Sequence, residues 1–137
     1  MDYEILDIFG DVGLRVWGDN LSEAFKNAAL GMYSLVTDTE KVESVKTIEI
    51  SIEGHSIEGL LIKWLNELIF YMDTYGFVGK EIHIRSIEGL SLKASVSGED
   101  FDSDRHHSGL LIKAATYHDL KIEKTDDKWI MEIVFDI

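Results

Sequence analysis

The stretch SIEGLLIKWLNELIFYMDTYG, residues 56–76, constrains the fold more than any other part of the chain. Its apolar residues recur every three or four positions, which places them on one face of an α-helix. They are Ile57, Leu60, Leu61, Trp64, Leu65, Leu68, Ile69 and Met72. Ser56 is suited to cap the first turn, and Gly76 can supply the left-handed residue that ends the helix. Further apolar residues at Ile62, Phe70 and Tyr71 predict burial on more than one side, so we expect a central helix.

A second helix is predicted between residues 20 and 35, N-terminal to the first. Its apolar positions again follow helical spacing; they are Leu21, Ala24, Phe25, Ala28, Ala29, Met32 and Leu35. Asn20 is the expected N-cap, and Glu23, three residues later, completes a capping-box pattern.

Most of the remaining chain alternates between apolar and polar residues, which is typical of β-strands. The runs are residues 12–16, 48–52, 82–84, 90–96, 110–117, 121–123 and 129–137. Glu88-Gly89 and Asp126-Asp127 are suited to the turns between neighbouring strands. We therefore predict one α+β domain over residues 1–137, with two helices on one face of a mostly antiparallel sheet of roughly seven strands.

The charge balance argues against direct RNA binding. The chain has 13 Lys and Arg against 26 Asp and Glu, a formal net charge of −13. Proteins that hold nucleic acid normally neutralise phosphates with basic side chains, because counterion release supplies much of the affinity. We expect no stable binding to RNA or DNA, and any RNA involved is expected to be held by a partner.

The composition also limits the metal ligands that the chain can offer and the cell compartment in which it is expected. The absence of cysteine excludes disulfides, thiolate catalysis and Cys-based zinc sites, so a metal would need oxygen or imidazole ligands. The N-terminal residues lack the basic start and apolar stretch of a signal peptide, and there is no apolar run long enough to span a membrane. These features predict a cytoplasmic protein that does not associate with membranes.

Carboxylates near both ends of the chain are the first candidate ligands. Asp11 lies where a glycine-containing turn enters a strand, and Asp136 lies beside the terminal carboxylate expected at Ile137. Hard cations such as calcium, magnesium and manganese select oxygen ligands of this kind. The residues alone leave two alternatives open: Asp11 can simply bond its own turn, and the C-terminal pair can simply be solvated.

Residues 99–107, EDFDSDRHH, form an acidic loop that contains two histidines. Its first aspartates match the start of an EF-hand, but Arg105 and Leu111 occupy the positions that require Gly and Glu, so this interpretation fails. The loop can bind metal through His106 or His107, or be solvated, and we favour the solvated form. Further along, Lys113, Thr116, Tyr117 and His118 cannot converge on one face of a strand without a bulge.

Several of these stretches together resemble the archease family, and the likeness extends over nearly the whole chain. They are residues 7–13 with Asp11-Val12-Gly13, Ala24-Phe25 with Ala28-Ala29, Leu60-Leu61 with Trp64-Leu65-Asn66-Glu67-Leu68, Gly98-Glu99, residues 102–106, Lys113-Ala114 with Thr116-Tyr117-His118, and Phe135-Asp136-Ile137. The order and spacing of these pieces carry the resemblance, since no single piece is diagnostic.

The resemblance implies a non-enzymatic accessory protein for an RtcB-type RNA ligase, which joins tRNA halves using GTP and divalent metal. It implies that the chain promotes guanylation of the ligase and its multiple turnover in tRNA splicing. It also implies one divalent cation, calcium first and magnesium or manganese as alternatives, held by Asp11, Asp136 and Ile137. Possible partner-contact or supporting residues are Glu99, Asp102, His106, Lys113 and His118.

One departure from the family pattern concerns the residues before Asp11. Family members commonly carry His-Thr where this chain has Ile8-Phe9, so a supporting imidazole would be absent or would come from His106, His107 or His118. Two other functions remain open on the sequence: a hydrolase that uses a cation held by Asp11 and Asp136, and a chaperone-like module with many clients.

Overall fold

The computed structural model describes residues 2–8 and 10–137, with only the backbone of Ile8. Across these residues the chain forms two helices, seven strands and one 3-10 turn at Thr39–Lys41. The order of elements is β1 (Tyr3–Ile8), β2 (Asp11–Gly18), α1 (Leu21–Val36), β3 (Lys46–Glu53), α2 (Ile57–Tyr75), β4 (Phe77–Glu88), β5 (Ser91–Asp100), β6 (Ala114–Lys124) and β7 (Trp129–Asp136).

Both helices begin, and α2 ends, at residues that local chemistry favours. Asn20 accepts a hydrogen bond from the Glu23 N–H and caps α1, and Ser56 accepts one from the Gly59 N–H and caps α2. The Glu23 carboxylate reaches the N–H of Asp19 rather than that of the cap residue itself. Gly76 ends α2 in the left-handed conformation, with φ of 70°, which a residue with a Cβ adopts at a cost.

The predicted α+β class and antiparallel pairing are confirmed, but the strands form two sheets rather than one. One sheet has the order β1-β2-β7-β6, and the other has the order β3-β5-β4. The chain crosses from the first sheet to the second through α1 and returns after β5. Every described pair of neighbouring strands is antiparallel.

The core lies where the helices meet the inner faces of the sheets. Trp64 is fully buried at the centre of α2, and its indole N–H donates to the Phe25 carbonyl of α1 at 3.0 Å. Replacing a buried tryptophan of this kind with alanine typically costs about 3–5 kcal/mol. None of the described helices has the length and apolar character needed to cross a bilayer.

The strands differ from the sequence prediction in three respects. Residues 3–8 form β1, which the pattern did not indicate, whereas residues 110–113 are irregular instead of starting a strand. The two runs predicted at 110–117 and 121–123 belong to the single strand β6, whose pairing with β7 is interrupted between Thr116 and Lys121.

Candidate functional site

The two candidate carboxylates come from strands that are direct neighbours. β2 pairs with β7, and the register places Val12 opposite Phe135. One residue further in the same register, Asp11 at the start of β2 faces Asp136 at the end of β7. Residues near the two ends of the sequence therefore meet at one end of the four-stranded sheet.

Both carboxylates project from the face of the sheet that points away from the core. Leu14 in β2 and Phe135 in β7 are fully buried, so residues of the opposite parity, including Asp11 and Asp136, lie on the outer face. Both aspartates are exposed. Among the described residues, neither has a basic group within ion-pair distance.

The end of β7 is held in place on its other side by β6. The Lys113 N–H donates to the Asp136 carbonyl at 2.8 Å, and Ala114 pairs with Asp136. The start of β6 is in turn fixed by Asn66 of α2, whose side-chain amide exchanges two hydrogen bonds with the backbone of Ala115, at 2.8 and 3.3 Å. Asp136 is thus positioned by strands on both sides, although its side chain is free to face solvent.

The donor set at this end of the sheet suits a hard cation. Two carboxylates on facing positions supply oxygen ligands, and main-chain oxygens of Ile137, which is 38% exposed, are adjacent in sequence. Within residues 2–8 and 10–137, no group of three or more His, Cys, Asp and Glu side chains is placed to hold a metal. None of His106, His107 and His118 therefore joins Asp11 and Asp136 in such a group. The substitution at Ile8-Phe9 involves side chains outside the described part of the chain.

A second polar cluster, around Glu99, is buried rather than solvated. The prediction of a solvated loop is wrong for Glu99 and His106, which are 6% and 4% exposed, although Asp102 and His107 are exposed. The Glu99 carboxylate accepts a hydrogen bond from the Glu43 N–H at 2.5 Å and pairs with the Arg105 guanidinium. The contact that Glu43 makes with Glu99 comes from its backbone N–H, which no side-chain pattern reveals.

His106 closes the turn formed by residues 102–106. Its Nδ1 accepts a hydrogen bond from the Asp102 N–H at 2.8 Å, so the ring proton lies on Nε2. Nε2 is 3.3 Å from the Glu99 carboxylate but has no well-aligned hydrogen bond to any described residue. The Glu43 N–H, and then the Arg105 guanidinium, hold the pKa of the Glu99 carboxyl below its usual value despite burial.

The Thr116 to His118 set lies where β6 bulges. Four residues of β6, 117–120, stand opposite one residue of β7, and Asp119 adopts a φ of 51°. The Thr116 hydroxyl donates to the Val134 carbonyl at 2.9 Å. His118 is 68% exposed at its side chain, with Nε2 3.3 Å from Asp119. The bulge required for these residues to converge is present, but within the described part of the chain His118 does not join Asp11 and Asp136 in a metal-binding group.

The fold and this site define a small α+β protein in which two antiparallel sheets pack against a helix pair and two aspartates meet at a strand end. The model of the Archease protein family (MTH1598/TM1083) matches residues 3–137. The chain belongs to the archease family.

Relatives of similar length support this assignment. Protein archease of Sulfurisphaera tokodaii is 36% identical over 136 residues, which cover 98% of each chain. Protein archease of Pyrobaculum islandicum is 38% identical over 141 residues, covering 100% of this chain and 96% of the relative.

Two solved structures share the fold. The solution structure of Methanobacterium thermoautotrophicum protein 1598 superposes with a TM-score of 0.83 at 29% identity, covering 99% of both chains. The crystal structure of a Thermotoga maritima protein, named there as an archease and possible chaperone, gives a TM-score of 0.70 at 21% identity over 96% of this chain and 94% of the other. The latter likeness concerns the fold alone.

Proposed function

We propose that this chain is a non-enzymatic, metal-binding accessory protein of an RtcB-type RNA ligase, and that it promotes guanylation and multiple turnover of that ligase in tRNA splicing. One divalent cation, calcium or else magnesium or manganese, would be held by Asp11, Asp136 and Ile137. The ligase itself would carry out the chemistry, in the cytoplasm.

The observation that carries the proposal is the meeting of Asp11 and Asp136 on facing positions of β2 and β7. Two like charges brought together on one face repel each other unless a cation or protons neutralise them. A bound divalent ion would supply positive charge that can bridge to oxygen ligands of another molecule. The contribution of the chain is to fix the two carboxylates through β2, β6 and β7.

The overall charge supports a protein partner that itself binds RNA. A net charge of −13 disfavours contact with phosphates but favours a partner with a basic surface. Complementary charge steers encounter and raises the association rate, and salt weakens this effect.

The test is an RNA-ligation time course under multiple turnover, with and without this protein. We expect the wild-type chain to raise the turnover of the cognate ligase, and Asp11→Ala and Asp136→Ala to fold normally but to lose this effect. Asp126→Ala, in the exposed β6–β7 turn at the opposite end of β7 from Asp136, is the matched control and should activate fully. Failure of the wild-type chain to raise turnover would refute the proposal, and full activation by both aspartate variants would remove the cation from it.

A chaperone-like module with several clients is the second candidate, because the chain exposes large apolar side chains, including Leu111 at 75% and Tyr75 at 60%. Affinity capture with the purified chain separates the two functions. Recovery of many unrelated proteins without the ligase would favour the second candidate. Metal-dependent hydrolysis of a nucleotide or phosphoester by the chain alone would favour the hydrolase instead.

A further inference from the structure

An apolar groove of about 230 Å³ lies at the C-terminal ends of both helices. One wall is the last part of α2 with Met72, and the other is the irregular segment of residues 101–113 that leads from β5 to β6. The lining residues are Val36, Met72, Asp73, Gly76, Phe77, Val78, Phe101, Ser108, Gly109, Leu110, Leu111 and Ile112. We call this feature the helix-end groove.

The segment that forms the outer wall is held firmly on α1. The N–H groups of Gly109 and Leu110 donate to the carbonyls of Val36 and Leu35 at 2.8 and 2.9 Å. The Thr37 hydroxyl donates to the His107 carbonyl at 2.6 Å. A Cβ at position 109 would lie 2.5 Å from the Leu35 carbonyl oxygen, so only glycine allows this approach. Hydrogen bonds and a close backbone approach therefore fix the outer wall of the groove, although this wall has no regular secondary structure.

Several apolar side chains around the groove remain exposed. Leu111 is 75% exposed, and Phe101 and Leu110 are each 37% exposed. In the C-terminal part of α2, outside the groove lining, Phe70 and Tyr75 stack edge to face with centroids 6.3 Å apart, and they are 50% and 60% exposed. Exposed apolar surface around a concave feature is typical of a site that is covered by a partner.

One side of the groove, formed by Asp73 and the C-terminal end of α2, carries negative charge. Both helices point their C-terminal ends at it, and neither has a basic residue in its last turn, so the negative ends of both helix dipoles lack compensation from such a side chain. Of the described residues that line the groove, Asp73 is the charged one, and no lysine or arginine is among them. The aspartates on either side of Phe101 are paired, Asp100 with Lys46 at 2.5 Å and Asp102 with Arg105 at 3.5 Å, so the negative charge at the groove comes from Asp73, which has no ion-pair partner among the described residues, and from the α2 end. An apolar ligand with positive charge beside it matches these properties.

We propose that the helix-end groove binds a segment of a partner protein in which apolar side chains are flanked by lysine and arginine. The apolar side chains fill the groove against Met72 and Leu111, and the basic side chains lie over Asp73 and the C-terminal end of α2. The identification of this partner as the ligase rests on the proposed function, whereas the chemistry of the groove does not.

The groove is connected directly to the acidic pair. Ile112 lines the groove, and the next residue, Lys113, donates its N–H to the Asp136 carbonyl. A segment bound in the groove therefore lies on the part of the chain that holds the end of β7. Docking there would bring the partner close to Asp11 and Asp136. The groove would then provide affinity for the partner, and the two aspartates would provide oxygen ligands for the cation.

The direct test titrates two synthetic peptides into the ¹⁵N-labelled chain and follows amide chemical shifts. The peptides carry the same apolar residues, flanked by lysine in one and by glutamate in the other. We expect the lysine peptide to shift the amides of Phe101, Leu110 and Leu111 in a salt-dependent manner. Leu111→Ser should weaken its binding about tenfold, as truncation of a central apolar contact typically does. The control Ile5→Ser changes a residue that is 53% exposed on β1 and should bind as wild type.

Three results would overturn the proposal. The first is equal binding of the two peptides, and the second is a set of shifts that avoids the groove. The third is self-association of the wild-type chain, seen by sedimentation at rising concentration and abolished by Leu111→Ser, which would assign the groove to a second copy of the chain.

A ligation assay separates this proposal from the proposed function. If the groove docks the ligase, Leu111→Ser should raise the concentration of chain needed for half-maximal activation and leave the maximum unchanged, whereas Asp136→Asn should lower the maximum. Lack of activation by the wild-type chain would defeat the proposed function while the peptide result stands by itself. Lysine-peptide binding with an unaltered half-maximal concentration for Leu111→Ser would remove the ligase as the occupant of the groove.

Discussion

The Glu99 cluster and the Asp11–Asp136 pair are both acidic sites near strand ends, yet they satisfy their charges in opposite ways. Glu99 is buried, and its oxygens face the Glu43 N–H and the Arg105 guanidinium within the protein. Asp11 and Asp136 are exposed on facing strand positions and have no described basic partner. The Glu99 carboxylate is therefore hydrogen-bonded and charge-paired within the protein, whereas the Asp11 and Asp136 carboxylates remain available to an external cation.

This difference separates structural from functional carboxylates. A buried charge is tolerated when internal hydrogen bonds replace water, and removal of one partner then destabilises the fold. Exposed carboxylates that repel each other contribute little to folding and are suited to an external cation. Stability should therefore respond to changes at the first site, and ligand binding to changes at the second.

The largest effect on stability is expected at His106. His106→Ala removes the acceptor of the Asp102 N–H and empties a buried site, so the free energy of unfolding should fall by about 2–4 kcal/mol. His106→Asn keeps an acceptor at the position of Nδ1 and should lose clearly less. Urea denaturation checks both values. Equal losses in the two variants would mean that the hydrogen bond to the Asp102 N–H contributes nothing.

A smaller, pH-dependent effect is expected at Glu99. Because the folded-state pKa of its carboxyl is below the ordinary value of 4.5, the cluster stabilises the fold above that pH, and the stabilisation is lost as pH falls through the lower folded-state pKa. Glu99→Gln should lower stability at neutral pH and flatten the acid limb of a stability-against-pH curve. Its control, Glu49→Gln, breaks an exposed pair with Arg85 and should cost about 0.5 kcal/mol or less. Parallel acid limbs for wild type and Glu99→Gln would contradict this account.

The smallest effect on stability is expected at the acidic pair. In chelator, Asp11→Asn and Asp136→Asn should change the free energy of unfolding by less than about 0.5 kcal/mol, with any change towards stabilisation because repulsion is relieved. Asp126→Asn provides the reference for an exposed aspartate in a turn. Thermal unfolding without metal measures all three. A loss of unfolding free energy as large as that of His106→Ala would mean that the pair stabilises the fold, as the Glu99 cluster does, and would contradict the proposed difference between the two sites.

Features set by local chemistry could be predicted from the sequence. Asn20, Ser56 and Gly76 bound the helices because caps depend on neighbouring backbone groups alone. Strand β1 was missed because it is an edge strand, and Ile5 is exposed despite being apolar. Residues 110–113 look like a strand, but the N–H of Leu110 is taken by the end of α1, a tertiary contact that the alternation does not reveal.

The candidate sites likewise combine features that depend on local sequence with features that depend on tertiary contacts. Asp11 and Asp136 could be selected as oxygen ligands from their types and from the family resemblance, while their register across β2 and β7 required the fold. The buried Glu99 carboxylate is bonded by the Glu43 N–H, 56 residues away in the sequence, and the acidic composition of the loop suggested solvent exposure instead. The helix-end groove joins the ends of α1 and α2 to residues 101–113 and has no sequence signature.

Calorimetric titration of calcium, magnesium and manganese into the purified chain tests the central claim most directly. We expect one ion per chain for wild type and for His106→Asn, and at least about tenfold weaker binding for Asp11→Asn and for Asp136→Asn, since each removes charge from a ligand. Isotherms for the two aspartate variants that match the wild type would contradict the assignment of the cation to this pair.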